Sequence, residues 1–246
     1  MPTLLKNWKI SCLHFTKLAW LPPRAVPSPV VWLIAITVLA LGAFPAFPAL
    51  GQGQIPGIST AADTVLIVGD SLSAEYGLKR GTGWVPLLQK QIADEKQSVR
   101  VVNASISGDT TSGGRSRLAA LLSQHKPTVV VLELGGNDAL RGLPLEMTKN
   151  NLTAMTQAAK KTGAKVLLVG MQVPPNYGGA YAATFSGLFK QVASAEKVAL
   201  VPFFLAGIAD VNDAASRFQA DRIHPNEASQ PKMLANVWPE LKKLIQ

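Results

Sequence analysis

Five residues in four short stretches have the types and the placement needed to attack a carbonyl carbon. Ser71 lies in Gly69-Asp70-Ser71-Leu72-Ser73, directly after an apolar run, where a turn would hold its hydroxyl at a sheet edge among backbone N–H groups. A serine hydroxyl becomes a useful nucleophile near neutral pH only when a base takes its proton. Beyond residue 62 the chain offers two histidines, His125 and His224. His125 stands beside Lys126 and Pro127 at an expected helix end, which suits a surface position, so His224 is the expected base. Asp221 precedes it by three residues in Asp221-Arg222-Ile223-His224-Pro225, close enough to fix the imidazole tautomer and stabilise the imidazolium. Gly108, in Ser107-Gly108-Asp109-Thr110, and Asn137, in Gly135-Gly136-Asn137-Asp138, would join the Ser71 N–H as donors to an oxyanion.

Taken singly, each residue has a plainer reading: Ser71 as a turn or cap serine, Gly108 as a turn glycine, Asn137 as a helix cap, Asp221 as a water-facing acid. Their joint occurrence after successive apolar runs favours chemistry. The order Ser, Asp, His is that of hydrolases built on parallel sheets, although the Gly-x-Ser-x-Gly elbow is absent because Ser73 takes the place of the second glycine. No metal or cofactor is expected, since an Asp/His pair is too few ligands and the single cysteine, Cys12, lies far upstream.

The elements that must position these residues are legible as an alternation. Runs at 64–69, 99–103, 128–134, 165–171 and 200–203 are short and rich in Val, Leu and Ile, as strands covered on both faces are. Between them, 84–95, 112–124, 145–162 and 181–196 space their apolar residues three and four apart, and a last helix is expected over 226–245. Strand and helix alternating in this way require right-handed crossovers and a mainly parallel five-stranded sheet with helices on both faces. The loops leaving the carboxyl ends of such strands gather along one edge, and the motifs above fall on those loops.

Composition and charge narrow the class. Hydrophobic residues make up 48% of the 246 and charged residues 16%, too apolar for a disordered tail. Of the formal +9, residues 1–62 carry Lys6, Lys9, Lys17 and Arg24 with no acid. The +5 that remains is dispersed over the rest, not gathered into a nucleic-acid-binding stripe. Basic residues ahead of the apolar run Val30–Phe44, followed by small Ala49 and Gly51, have the layout of an export signal. The expected organisation is a leader at 1–51, a linker at 52–62 and one domain at 63–246, placing the product in the periplasm or outside the cell. An uncleaved leader acting as a membrane anchor is the alternative.

The four stretches resemble, in order and spacing, the four blocks of the GDSL or SGNH hydrolase family, and the resemblance covers the whole of 63–246. It is carried further by Val102-Asn103-Ala104-Ser105-Ile106-Ser107-Gly108-Asp109-Thr110 and Glu133-Leu134-Gly135-Gly136-Asn137-Asp138. The resemblance implies a three-layer α/β/α flavodoxin-like fold with Ser71 as nucleophile, His224 as base, Asp221 as its orienter, and Ser71, Gly108 and Asn137 around the oxyanion. It implies an exported, cofactor-free enzyme, expected as a monomer, acting on aryl or medium-chain acyl esters, acyl-CoA thioesters or lysophospholipids. Contact with a membrane is expected only through a lysolipid substrate or an uncleaved leader. Asp70 and Asp138, which also belong to the family's blocks, are read as acids that hold their loops through backbone hydrogen bonds. Glu75 departs from the small residue expected just after the nucleophile turn.

Substrate contacts are expected from Leu140 and Leu143 after the Asn137 loop, and from Pro174, Asn176 and Tyr177 in the loop 173–181, whose apolar character suits an acyl group. Two rival readings are a carbohydrate O-acetylesterase on the same frame and a noncatalytic flavodoxin-like binding module. The second requires a glycine-rich phosphate cradle after the first strand, where Asp70 and Glu75 stand instead.

Overall fold

Strands apolar on both faces need cover on both sides, and the computed structural model, which describes residues 63–245, supplies it. The elements are β1 (Asp63–Gly69), α1 (Trp84–Asp94), β2 (Val99–Asn103), α2 (Thr111–His125), β3 (Val129–Glu133), α3 (Gly136–Leu140), α4 (Leu145–Lys161), β4 (Lys165–Val169), α5 (Gly179–Glu196), β5 (Ala199–Val201) and α6 (Gln230–Leu244). All five strands are parallel, in the order β2-β1-β3-β4-β5. Right-handed crossovers then place α1 and α6 together on one face and α2, α4 and α5 on the other. This is the α/β/α sandwich expected for the sequence. The chain steps from β1 outward to β2 and returns past β1 to β3, so strand order reverses between β1 and β3, where such sheets open a crevice.

The core lies against the two central strands. Val65 to Val68 and Val129 to Leu132 have no solvent exposure, and each such side chain contributes about 1.5–3 kcal/mol through its burial. Trp84 meets Phe204 edge to face at 5.6 Å under one sheet face, and Phe185 meets Phe189 at 5.4 Å under the other. The candidate leader and linker, with Cys12, lie outside the described residues. No helix among the described residues is long and apolar enough to cross a membrane.

Several element ends differ from the sequence reading. The fourth strand stops at Val169, and Gly170 and Met171 already belong to the loop. The last helix starts at Gln230, because Asn226 opens a separate 3-10 turn over Glu227–Ser229. The stretch around Asn137, read as a loop, is the one-turn helix α3, too short to show a periodicity.

Gly170 fixes how closely the ends of β4 and β5 approach. Its N–H donates to Val201 O and its carbonyl accepts from the Phe204 N–H, both at 2.8 Å. A Cβ there would stand 2.4 Å from Pro202 O and 2.9 Å from Val201 O, both backbone atoms that cannot swing aside. Gly170→Ala is expected to destabilise the domain by about 1–3 kcal/mol, as a lowered urea midpoint at unchanged slope.

Candidate active site

The turn after β1 is held from below by a buried polar stack. The Asp70 carbonyl accepts from the Ser73 and Ala74 N–H groups at 3.2 and 3.0 Å, and Asp70 Oδ1 accepts from the Leu72 N–H at 3.0 Å, closing the turn that displays Ser71. Ser73 Oγ donates to Glu133 Oε2 at 2.7 Å and accepts from Trp84 Nε1 at 3.1 Å. Glu133 Oε2 also accepts from the Asp70 N–H at 3.3 Å. Ser73 therefore pins the turn where an elbow glycine would leave it free. Gly69 is demanded by the same stack, since a Cβ would meet Glu133 Oε2 at 2.7 Å and Ser73 Oγ at 2.8 Å.

Two carboxyl groups thus lie buried beneath Ser71. Burial, with the Asp70 charge adding to it, holds the Glu133 carboxyl well above the usual range. Burial likewise pushes Asp70 up to about 6, against the Leu72 N–H, His224 and the Asn137 amide, which favour its charge. Of the two, Glu133 is the more completely buried and Asp70 the one whose charge is favoured by neighbouring donors.

His224 arrives from the connection between β5 and α6. An antiparallel bridge between Phe218 and Pro225, with the Gln219 N–H donating to His224 O at 2.7 Å and the Asn226 N–H to Arg217 O at 2.9 Å, closes a narrow loop. At its tip Arg222 takes a left-handed conformation, φ +57°. Asp221 Oδ1 accepts from the Ile223 and His224 N–H groups, leaving Oδ2 at 2.7 Å from His224 Nδ1. His224 Nε2 lies 2.9 Å from Ser71 Oγ. Desolvation raises the Asp221 carboxyl, but the Ile223 N–H and the His224 ring and N–H outweigh it and bring it down to about 2. Tyr76 lies against the imidazole, ring centroids 4.5 Å apart.

Gly108 and Asn137 belong to the connections after β2 and β3, which the Asn137 Nδ2 bond to Asp109 O ties together. Gly108 has φ +77°, a conformation in which any side chain is strained, and its carbonyl accepts from Arg141 at 2.8 Å. Arg117 ties the same loop to the sheet through Asp109 Oδ2 at 2.9 Å and through the Ala104 carbonyl. Neither the Ser71 N–H nor the Gly108 N–H has a hydrogen-bond acceptor among the described residues. Asn137 Nδ2, in contrast, donates to Asp70 Oδ2 and to Asp109 O, both at 3.0 Å, so donation to a third oxygen requires one of these bonds to be shared. Asp138 accepts from the Thr111 N–H at 2.8 Å and from the Thr148 hydroxyl at 3.3 Å, which locks α3 to α2 and α4. Glu75, at φ +58°, turns its carboxylate to the Gly81 and Gly83 N–H groups, both 2.8 Å away at the start of α1.

A cavity of about 580 Å³ opens beside Ser71 and His224. Leu140 and Pro174 line it; Leu143, Asn176 and Tyr177 do not. Leu143 turns back, its N–H donating to Asp138 O at 2.9 Å. Much of the wall comes from residues the sequence reading did not single out: Phe203, Leu205, Ala209, Ala214 and Phe218, on the connection after β5. The available signal was the length of that connection, since long loops without regular structure inside a compact domain are commonly functional.

A parallel sheet with a hydrogen-bonded Ser, His and Asp at its carboxyl edge, opening on an apolar cavity, has the layout of an ester hydrolase. The profile of the GDSL-like lipase/acylhydrolase family matches residues 67–230, and the chain belongs to that family. It is 56% identical to Esterase TesA of Pseudomonas aeruginosa over 185 residues, 75% of this chain and 90% of that one. It is 42% identical to Thioesterase 1/protease 1/lysophospholipase L1 of Escherichia coli over 188 residues, 76% of this chain and 87% of that one. Among solved structures, the esterase EstA of Pseudoalteromonas sp., inhibited by monoethylphosphonate, superposes with a TM-score of 0.69 at 40% identity, covering 74% of this chain and 97% of that one.

The buried pair has a measurable signature. Because the folded Asp70 titrates near 6 against an ordinary 3.8, its contribution to stability is fully present below 3.8 and is lost as pH rises through 6. Between about pH 4 and about pH 8 the wild type is therefore expected to lose more thermal stability than Asp70→Asn. Parallel melting profiles for the two would place the charge penalty elsewhere.

Proposed function

We propose that the chain is an exported serine hydrolase that cleaves carboxylic esters and thioesters through an acyl-enzyme on Ser71. The observation that carries this reading is the continuous line from Asp221 Oδ2 through the His224 ring to Ser71 Oγ, with contacts of 2.7 and 2.9 Å, at the mouth of an apolar cavity. In the first step His224 Nε2 takes the Ser71 proton as Oγ attacks the carbonyl carbon, and the carbonyl π electrons move to oxygen. The Ser71 and Gly108 N–H groups, with the Asn137 amide giving up part of its bond to Asp109 O, stabilise that oxyanion. Collapse expels the alkoxide or thiolate, which receives the proton from His224. A water then attacks the acyl-enzyme with His224 again as base, releasing the acid. Asp221, ionised across the working range, keeps the Nδ1 proton in place and favours the imidazolium.

The cavity supports an apolar acyl group as the part recognised. Its volume lies within the range usual for small-molecule sites, and Met171, Val173, Phe203, Leu205 and Phe218 make most of its wall apolar, with Gln172, Asp210 and Arg222 as the polar side chains away from the Ser71 and Asn137 loops. Aryl esters, medium-chain acyl esters, acyl-CoA thioesters and lysophospholipids share such a group. The names of the relatives, esterase, arylesterase and thioesterase/lysophospholipase, agree with that range. Residues 1–51 are proposed as the export leader and 52–62 as a linker to the catalytic domain.

A fluorophosphonate probe together with p-nitrophenyl esters of increasing chain length tests mechanism and preference at once. Ser71→Ala is expected to abolish both labelling and turnover without loss of fold, whereas retained labelling would exclude Ser71 as nucleophile. Asn137→Ala is expected to lower kcat by roughly 10²- to 10³-fold with little change in KM, as loss of an oxyanion donor does. A raised KM with kcat spared would assign Asn137 to ground-state binding.

A further inference from the structure

An oxyanion hole assembled from separate loops works only while its donors keep their spacing, since a misplacement of about 1 Å can cost roughly a hundredfold in rate. The Ser71 N–H, the Gly108 N–H and the Asn137 amide stand on three different connections, after β1, β2 and β3. One cation outside the triad is linked to all three. Arg117, in the second turn of α2, directs Nε to Asp109 Oδ2 at 2.9 Å and Nη2 to the same oxygen at 2.8 Å. Its Nη1 donates to Ala104 O, just past β2, and Nη2 makes a longer contact of 3.5 Å with Gly69 O at the end of β1. Gly69 precedes Ser71 by two residues, Asp109 follows Gly108, and the Asp109 carbonyl accepts from Asn137 Nδ2 at 3.0 Å. Each donor is thus within two residues, or one hydrogen bond, of a group that this guanidinium holds.

The pair is not an ordinary surface ion pair. The Arg117 and Asp109 side chains are only 19% and 11% exposed, whereas Lys90 and Asp94, paired along α1, are 71% and 63% exposed. The start of α2 is shaped around the carboxylate: Asp109 Oδ1 accepts from the Thr110 N–H at 3.0 Å, and a Cβ at Gly113 would overlap that same oxygen. Glycine weakens a helix, so its place in the first turn fits the room that Asp109 needs. A lysine could neutralise Asp109, but reaching carboxylate and carbonyl oxygens on separate segments from one plane requires the guanidinium fork. Arg117 is not part of the cavity wall, so this arrangement serves no direct contact with an acyl group.

We propose that Arg117 is a positioning residue for ester hydrolysis: its guanidinium fixes the Gly108–Asp109 segment against the ends of β1 and β2, and so sets the fit of the Ser71, Gly108 and Asn137 donors around the oxyanion. The proposal rests on the hydrolytic reading above and adds to it a residue that touches no substrate. The test compares Arg117→Lys and Arg117→Met with the wild type, all as the full chain, on a p-nitrophenyl ester. Turnover is expressed per serine labelled at completion by a fluorophosphonate, so that misfolded protein is not counted. Lysine keeps a charge opposite Asp109 and protects the fold should methionine fail to.

Both variants are expected to lower kcat per labelled serine by roughly 10- to 100-fold, with KM changed by less than about twofold, because the loss falls on the transition state alone. In the Asn137→Ala background, Arg117→Met is expected to cost clearly less than in the wild type, since one of the donors it positions is already gone. A kcat restored by lysine, a raised KM with kcat spared, or an equal cost in the two backgrounds would each overturn the positioning role while leaving an active wild type and the hydrolytic reading in place. A wild type that neither labels nor turns over would overturn both.

Discussion

The hydrogen bond between Ser71 and His224 joins residues 153 positions apart, and most of the architecture follows from making it possible. A serine can be presented rigidly by the end of a central strand, because the sheet beneath it is closed on both faces. A histidine that must reach it from the far end of the chain has no strand of its own. It is carried instead on a loop stiffened by a backbone bridge at Phe218 and Pro225, with Asp221 binding its own loop before it binds the imidazole. The carboxylate thus shapes the loop and aims the ring with different oxygens.

On the nucleophile side the constraint is opposite in kind. The Ser71 turn rests on buried carboxyl groups that cost free energy to desolvate, a cost that raises both above the usual carboxylate range and is reduced at Asp70 by the donors around it. In return Asp70 grips both the Leu72 N–H and the Asn137 amide, linking the turn that carries the serine to α3. Rigid polar anchoring beneath a reactive group is the usual route to preorganisation, since donors already in place need not reorganise as charge develops.

The sequence made the fold legible because parallel strands buried on both sides read as continuous apolar runs, and these are hard to mistake when helical periods separate them. The site residues were legible for a related reason: Ser71, Gly108 and Asn137 each follow such a run, so topology alone brings them to one edge. The His224 loop was read from residue chemistry. What escaped was information carried by contacts distant in the chain. Nothing local marks Glu133 as the partner of Ser73, or Phe203 and Ala214 as cavity wall. Leu143, apolar and three residues past α3, is expected at the cavity but is not part of its wall, and its N–H closes the turn after α3 on the Asp138 carbonyl.

The connection after β5 carries both the outer wall of the cavity and the candidate base, two tasks that would ordinarily constrain each other. The bridge at Phe218 and Pro225 is where they meet: Phe218 belongs to the wall and Pro225 follows His224, so one backbone pairing serves both. A scaffold joined in this way can vary which acids it releases by exchanging side chains along 206–215, provided the pairing that seats the imidazole is kept.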